Sequence, residues 1–274
     1  MAKIYAVANR KGGCSKTTTS GALAAGLSLK GLKVLMIDLD PQGNLTDWTD
    51  YDAARAWTSY EVLTRKCSIS DAVVHRPGFG CDLLPADESL SALESELATA
   101  QGREWRLAEA LAEIEEAYDV VIIDTPPQLS IFTPIALTAA TGGVVVPTDN
   151  GKWATKAMRE LQESIESCRK YSNPDLRVAG ILLTKYDTRK NLMKIMTDVA
   201  QGVAAFLQAP VYETHVRNTV GVMEAQVLKM SIFDEGAPRR HTDGGTSDYE
   251  AFIDEFMEKE GLKPGRKAED VEAG

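Results

Sequence analysis

Eight residues near the start of the chain, Lys11-Gly12-Gly13-Cys14-Ser15-Lys16-Thr17-Thr18, restrict what can be built around them more than any other stretch. A strand pattern from Lys3 to Asn9 runs into them, and a helix pattern from Lys16 to Lys30 runs out. A strand, a Gly-rich turn and a helix N-terminus make an anion site. The turn's backbone N–H groups converge, and the helix dipole adds partial positive charge. Lys16 is then placed to reach terminal phosphates, and the Thr17 hydroxyl to ligate Mg²⁺. The strict form of such a loop has glycines where this chain has Arg10 and Ser15. What it carries instead is a second lysine, Lys11, five residues before Lys16.

Charge bounds the partners. The chain of 274 residues has 30 Lys and Arg against 40 Asp and Glu, a net charge of -10. That excludes a surface coated in nucleic-acid-binding charge but leaves room for a local basic patch, because association follows local potential. The four cysteines, Cys14, Cys67, Cys81 and Cys168, form no C-x-x-C pair, and His75, His215 and His241 are scattered. Neither a metal cluster nor a disulfide framework is expected, and a reducing cytosol fits. The chain enters a strand at once, so no signal peptide is expected. No apolar run approaches the ~18 residues of a membrane span.

Further along, strands and helices alternate. Gly31 is a helix C-cap candidate, and Lys33 to Asp38 is an apolar run of the kind a parallel sheet buries on both faces. Asp38-Leu39-Asp40-Pro41-Gln42-Gly43-Asn44 follows at the strand's carboxyl end, where open α/β sheets bind ligands. Residues 45–89 read as irregular, apart from a short strand at Cys81 to Ala86; a helical hairpin spans Ser89 to Ala117, broken near Gln101-Gly102. Tyr118 to Asp124 is a second apolar strand with an Asp at its exit, followed by Thr125-Pro126-Pro127. That is the place for a carboxylate that holds Mg²⁺ through water. Helices at Ile131–Ala140, Trp153–Tyr171, Leu192–Leu207, Thr219–Lys229 and Ser247–Lys259 alternate with strands at Gly143–Thr148, Leu176–Thr184 and Val211–Thr214. The expected fold is α/β, a P-loop NTPase with a mostly parallel twisted sheet and helices on both faces. One domain is expected over 1–260, with a disordered polar tail over 261–274.

Taken together, Lys11 to Thr18, Asp38 to Asn44 and Asp119 to Pro127 resemble the ParA/MinD family of deviant Walker A ATPases. Leu182 to Arg189 and the Val216-Arg217-Asn218 to Glu224-Ala225 stretch are similar to its ParA/Soj branch, which partitions plasmids and chromosomes. The resemblance implies an ATPase that uses ATP and Mg²⁺ and is slow on its own. Lys11 matches the signature lysine that reaches across a sandwich homodimer to the partner's phosphates, and Lys16 the phosphate-loop lysine. Gly12, Gly13, Cys14 and Ser15 belong to the cradle. Thr17 matches the Mg²⁺ ligand, Thr18 an α-phosphate contact, and Asp40 the carboxylate that positions the attacking water. Asp124 matches the Walker B aspartate, holding Mg²⁺ through water as Asp40 also would, and Asn218 an adenine contact.

The same resemblance implies non-specific duplex DNA as a partner of the ATP dimer, release on hydrolysis stimulated by a ParB-like centromere-binding protein, and a cytoplasmic, nucleoid-associated location. Val216 and Gly221 depart from the branch, standing where it has a proline and often a second arginine. Arg189, Lys190, Arg217, Lys229, Arg239 and Arg240 are the candidate DNA-facing residues; the last two lie in a loop unlike the usual segment. The strand begins too early for an N-terminal helix-turn-helix, so operator-specific repression is not expected. The alternative is a MinD-like membrane-associated positioning ATPase. Its branch ends in a basic amphipathic helix, whereas the last helix here carries Glu250, Asp254, Glu255, Glu258 and Glu260. A nitrogenase-reductase type of electron carrier would need cluster-ligating cysteines, and neither Cys81 nor Cys168 has that context. A small-molecule kinase or ligase would need an acceptor site that no motif supplies.

Overall fold

Side chains that alternate between two buried faces set the layers. In the computed structural model, which describes residues 1–53, 56–127, 130–149, 154–186, 190–237 and 244–265, strand β1 (Lys3–Val7) sits in the interior of an eight-stranded sheet. Ile4 and Ala6 of β1 point into the apolar layer on one face, and Tyr5 and Val7 into the layer on the other. β2 (Val34–Asp38) and β5 (Val120–Asp124) repeat that alternation, which is why their sequences read as unbroken apolar runs. The remaining strands are β3 (Val74–Arg76), β4 (Cys81–Leu84), β6 (Gly143–Thr148), β7 (Val178–Tyr186) and β8 (Val211–Arg217). The order is β3-β4-β2-β5-β1-β6-β7-β8, with every pairing parallel except β3 with β4. Consecutive strands β1 and β2 are separated by β5, so helix α1 (Lys16–Leu29) crosses over a neighbouring strand and begins at the sheet's carboxyl edge.

Residues 45–89, expected to be irregular, contain three short helices, α2 (Asn44–Trp48), α3 (Ser59–Leu63) and α4 (Ile69–Ala72), and the edge strand β3. The local signal for α3 is a capping box: Thr58 caps the helix, and the Glu61 side chain returns to the Thr58 N–H. β3 has only three residues, folded back on β4 through the 3₁₀ turn Pro77–Phe79, too short for an alternation to register. The expected helical hairpin resolves into α5 (Leu90–Glu96) and α6 (Arg106–Ala112), and α7 (Phe132–Ala139), α8 (Ala154–Tyr171) and α9 (Lys190–Leu207) follow.

β8 runs three residues beyond its expected end at Thr214, because Tyr212 and Val216 point inward on alternate positions and the Glu255 carboxylate accepts from the Glu213 and Thr214 N–H groups. Helix α10 (Val220–Val227) leads to α11 (Gly245–Glu260). The acidic face of α11 conceals a largely apolar one: Tyr249, Phe252, Ile253, Phe256 and Met257 are buried in the layer that also holds α1. Past α11 the Gly265 N–H donates to the Lys30 carbonyl at 3.0 Å. The rest of the expected tail, 266–274, lies outside the described residues.

Candidate active site

The turn between β1 and α1 uses two left-handed residues. Gly13 at φ 72° and Ser15 at φ 68° both take the left-handed conformation. For Ser15 this costs roughly 1–2 kcal/mol, because its β-carbon crowds the following carbonyl. The surrounding contacts hold the strain in place. Cys14 is buried, its Sγ 3.1 Å from the Lys11 carbonyl. The Thr184 hydroxyl lies 3.1 Å from the Cys14 carbonyl and 3.2 Å from that of Thr148. Asn9 accepts from the Lys11 N–H at 3.0 Å and donates to the Pro147 carbonyl at 2.6 Å. The N-terminus of α1 has no side-chain cap and no acidic residue in its first turn. Its free N–H groups therefore face the loop's concave side, and Lys16, 6% exposed, folds back so that Nζ donates to the Lys11 carbonyl at 3.2 Å.

Two carboxylates lie beneath the loop. Asp38 and Asp124 are the last residues of β2 and β5 and sit opposite each other in register, both fully buried. Asp124 accepts from Thr17 Oγ1 at 2.7 Å and from Ser20 Oγ at 2.9 Å. Asp38 accepts from the Thr46 N–H and hydroxyl at 2.9 and 2.8 Å and from the Asp40 N–H at 3.0 Å. Burial is the main force on both: it pushes Asp38 up to about 6 and Asp124 up to about 7, where the neighbouring Asp38 charge adds to the effect. The pair is short of positive charge. With the Thr17 hydroxyl alongside, this hard-oxygen set fits a divalent cation of the Mg²⁺ kind. Asp40 is buried at the edge of the cleft, its Oδ1 accepting from the Gln42 N–H at 3.0 Å.

A cleft of about 560 Å³ opens in front of the loop. Of the residues singled out from the sequence, Gly13, Ser15, Lys16, Thr17, Thr18, Asp40 and Asn218 line it. Lys11 does not; its Nζ is ion-paired with Asp149, just beyond the carboxyl end of β6. The far wall is α10, where Gln226 Nε2 donates to Thr18 Oγ1 at 3.0 Å and Val222 and Met223 present apolar surface. Arg217 also lines the cleft, engaged with Asp248 through both Nε and Nη2, and Lys229 pairs with Asp47 and Asp50. Both were expected to face DNA. Arg189, Arg239 and Arg240 lie outside the described residues, and Lys190 opens α9 with its backbone alone described.

Sequence reasoning missed Asp149, Lys185, Ser20 and Gln226. Ser20 lies one helical turn after Lys16, a spacing that puts both on one face. Asp149 and Lys185 lie at the carboxyl ends of β6 and β7, where the rule used for Asp38 and Asp124 applies equally. Gln226 carried no local signal.

Relatives match most of the chain in sequence. A family model described as an AAA domain matches residues 2–178. The chromosome partitioning protein ParA of Caulobacter vibrioides is 38% identical over 226 residues, covering 81% of this chain and 83% of that protein. The chain belongs to the ParA/Soj family of P-loop ATPases. Soj of Bacillus subtilis, a sporulation initiation inhibitor, is 36% identical to this ParA/Soj chain over 226 residues, covering 82% of it and 88% of Soj. Among solved structures, Mycobacterium smegmatis cobyrinic acid a,c-diamide synthase with bound ADP and magnesium matches at 33% identity and a TM-score of 0.79, covering 98% of this chain and 100% of the other.

Proposed function

We propose that this ParA/Soj chain is an ATP-hydrolysing DNA-partitioning protein, working with Mg²⁺ as a sandwich homodimer. The observation that carries the reading is the separation of the two loop lysines: Lys16 is folded over the phosphate cradle, while Lys11 lies outside it. Phosphoryl transfer is catalysed mainly by positioning and charge neutralisation. Lys16 and the α1 N–H groups hold the phosphates, Thr17 and Asp124 hold the metal, and Asp40 positions the attacking water. Bound Mg²⁺ supplies charge neutralisation at the phosphates. Lys11, freed from Asp149, completes the partner's site, so hydrolysis depends on dimerisation. The ATP dimer binds duplex DNA without sequence preference, through basic residues of the C-terminal half, and a ParB-like protein stimulates hydrolysis and release. That cycle places it on the nucleoid.

Sedimentation with plain duplex DNA, and separately with liposomes, tests this in ATP, in ADP and without nucleotide. DNA pelleting in ATP alone is the expected result; lipid binding, or DNA binding indifferent to nucleotide, sinks the reading. Lys16→Ala should lose nucleotide binding by about 100-fold, the scale of removing a buried charge-assisted contact. Asp40→Ala should keep ATP and DNA and stop hydrolysis; normal turnover by that variant rules out its role on water. The membrane alternative is not favoured, since the apolar face of α11 is already buried in the core. Among the described residues, no helix is long and apolar enough to cross a membrane.

A further inference from the structure

We infer that Lys185 is a third lysine of this site, contacting the phosphate side of a bound nucleotide from within the same chain; the inference rests on the nucleotide reading above. Lys185 lies at the carboxyl end of β7 with φ 52°, left-handed and strained for a residue with a β-carbon. The preceding Thr184 is fixed against the Cys14 and Thr148 carbonyls, so the strand cannot relax without pulling on the phosphate loop. From there the side chain reaches the cradle: its Nζ lies 4.0 Å from where a β-carbon on Gly13 would stand, and it lines the cleft.

The surrounding cations are already engaged. Lys16 donates to the Lys11 carbonyl, Lys11 is paired with Asp149, Arg217 with Asp248, and Lys229 with Asp47 and Asp50. Among the described residues, the Lys185 ammonium has no hydrogen-bond or ion-pair partner. Lys185 is exposed, so its ammonium can exchange water for an anion that arrives at the cradle. Phosphate oxygens of a nucleoside di- or triphosphate supply it, and the contact is charge-assisted.

The test titrates a fluorescent ATP analogue, a fluorescent ADP analogue and unlabelled adenosine as competitor, with Mg²⁺, over a series of KCl concentrations. Lys185→Met keeps the length and removes the charge, and Lys185→Arg keeps the charge. Lys185→Met should bind ATP and ADP about 10-fold more weakly, with a flatter salt dependence, while adenosine is unaffected and Lys185→Arg stays within about 3-fold of the unaltered protein. Unchanged ATP and ADP affinity in Lys185→Met overturns the inference, as does an equal loss for adenosine and ATP, or failure of Lys185→Arg to restore binding. The underlying reading fails separately: the unaltered protein would then bind no Mg²⁺-nucleotide, or Lys16→Ala would bind as well as it does, and the role of Lys185 would go with it.

Discussion

At the amino ends of β1 and β7 the Glu260 carboxylate is buried, accepting from the Tyr5 hydroxyl at 2.6 Å and held by the Arg177 guanidinium through both oxygens. At the carboxyl ends of β2 and β5, Asp38 and Asp124 are buried as deeply, yet among the described residues they accept hydrogen bonds from hydroxyls and backbone N–H groups. At both ends carboxylates are taken out of water. At one end the chain offsets that loss with its own cation, which ties the last helix to the sheet. At the other, two carboxylates face each other and Lys16 exerts only a weaker pull on Asp124. A buried acid pair without a partner cation takes up a proton or a metal ion. The finished end is structural, and the unfinished end is where an ion and a nucleotide have work to do.

The comparison can be broken most directly at the finished end. Glu260→Ala should cost about 3 kcal/mol of unfolding free energy in urea, the lower range for breaking a buried pair, because Arg177 keeps some access to water. An effect below about 1 kcal/mol would make the network a surface ion pair. At the unfinished end the sign should reverse. The folded state raises both Asp38 and Asp124, so it holds a proton that the unfolded chain gives up above about pH 4. The resulting cost grows as pH rises from there through 7. Asp124→Asn removes it, so in nucleotide-free protein the stability of the variant relative to the unaltered chain should rise by about 2 kcal/mol between pH 5 and pH 8. A pH-independent difference in melting temperature would show that the pair is not proton-linked.

Tyr5→Phe sharpens the comparison by deleting one hydrogen bond while keeping the ring. It should cost about 1 kcal/mol, with no change in ATP affinity, by paired denaturation and titration. The smallest effect is expected from Asp149→Asn, which loosens Lys11 without touching the cradle. ATP-dependent self-association, followed by light scattering, should reach half-maximum at about 3-fold lower protein concentration. No shift would mean that Asp149 does not compete with the partner for Lys11.

Local signals carried far along this chain. The apolar runs ending in Asp38 and Asp124 and the Gly-rich turn before Lys16 each announced a strand, a strand exit or a helix start within about ten residues, because backbone geometry and two-faced burial leave short-range periodicities. They failed where an element was too short to have a period, as at β3, or where long-range burial set the end, as at β8. Among site residues, Asp149 and Gln226 lay outside every motif and were not legible, and Lys185, although inside the Leu182 to Arg189 stretch, carried no role of its own there. Arg217 shows the limit from the other side. Quoted within the Val216-Arg217-Asn218 stretch, it was a candidate DNA-facing residue, and only the return of α11 supplied Asp248 as its partner.

By itself, then, the sequence determined the phosphate loop, the carboxylates at two strand exits, the α/β alternation and the family. These rest on residues adjacent in the chain, whose geometry is dictated by turn, helix dipole and strand pleat. Tertiary structure alone decided that Asp38 faces Asp124 in register, that Lys11 meets Asp149 across 138 residues, that Lys185 reaches Gly13, and that Glu260 closes on Tyr5. A parallel sheet joins strands through crossovers, so which exits become neighbours depends on strand order, and strand order leaves no trace in local periodicity.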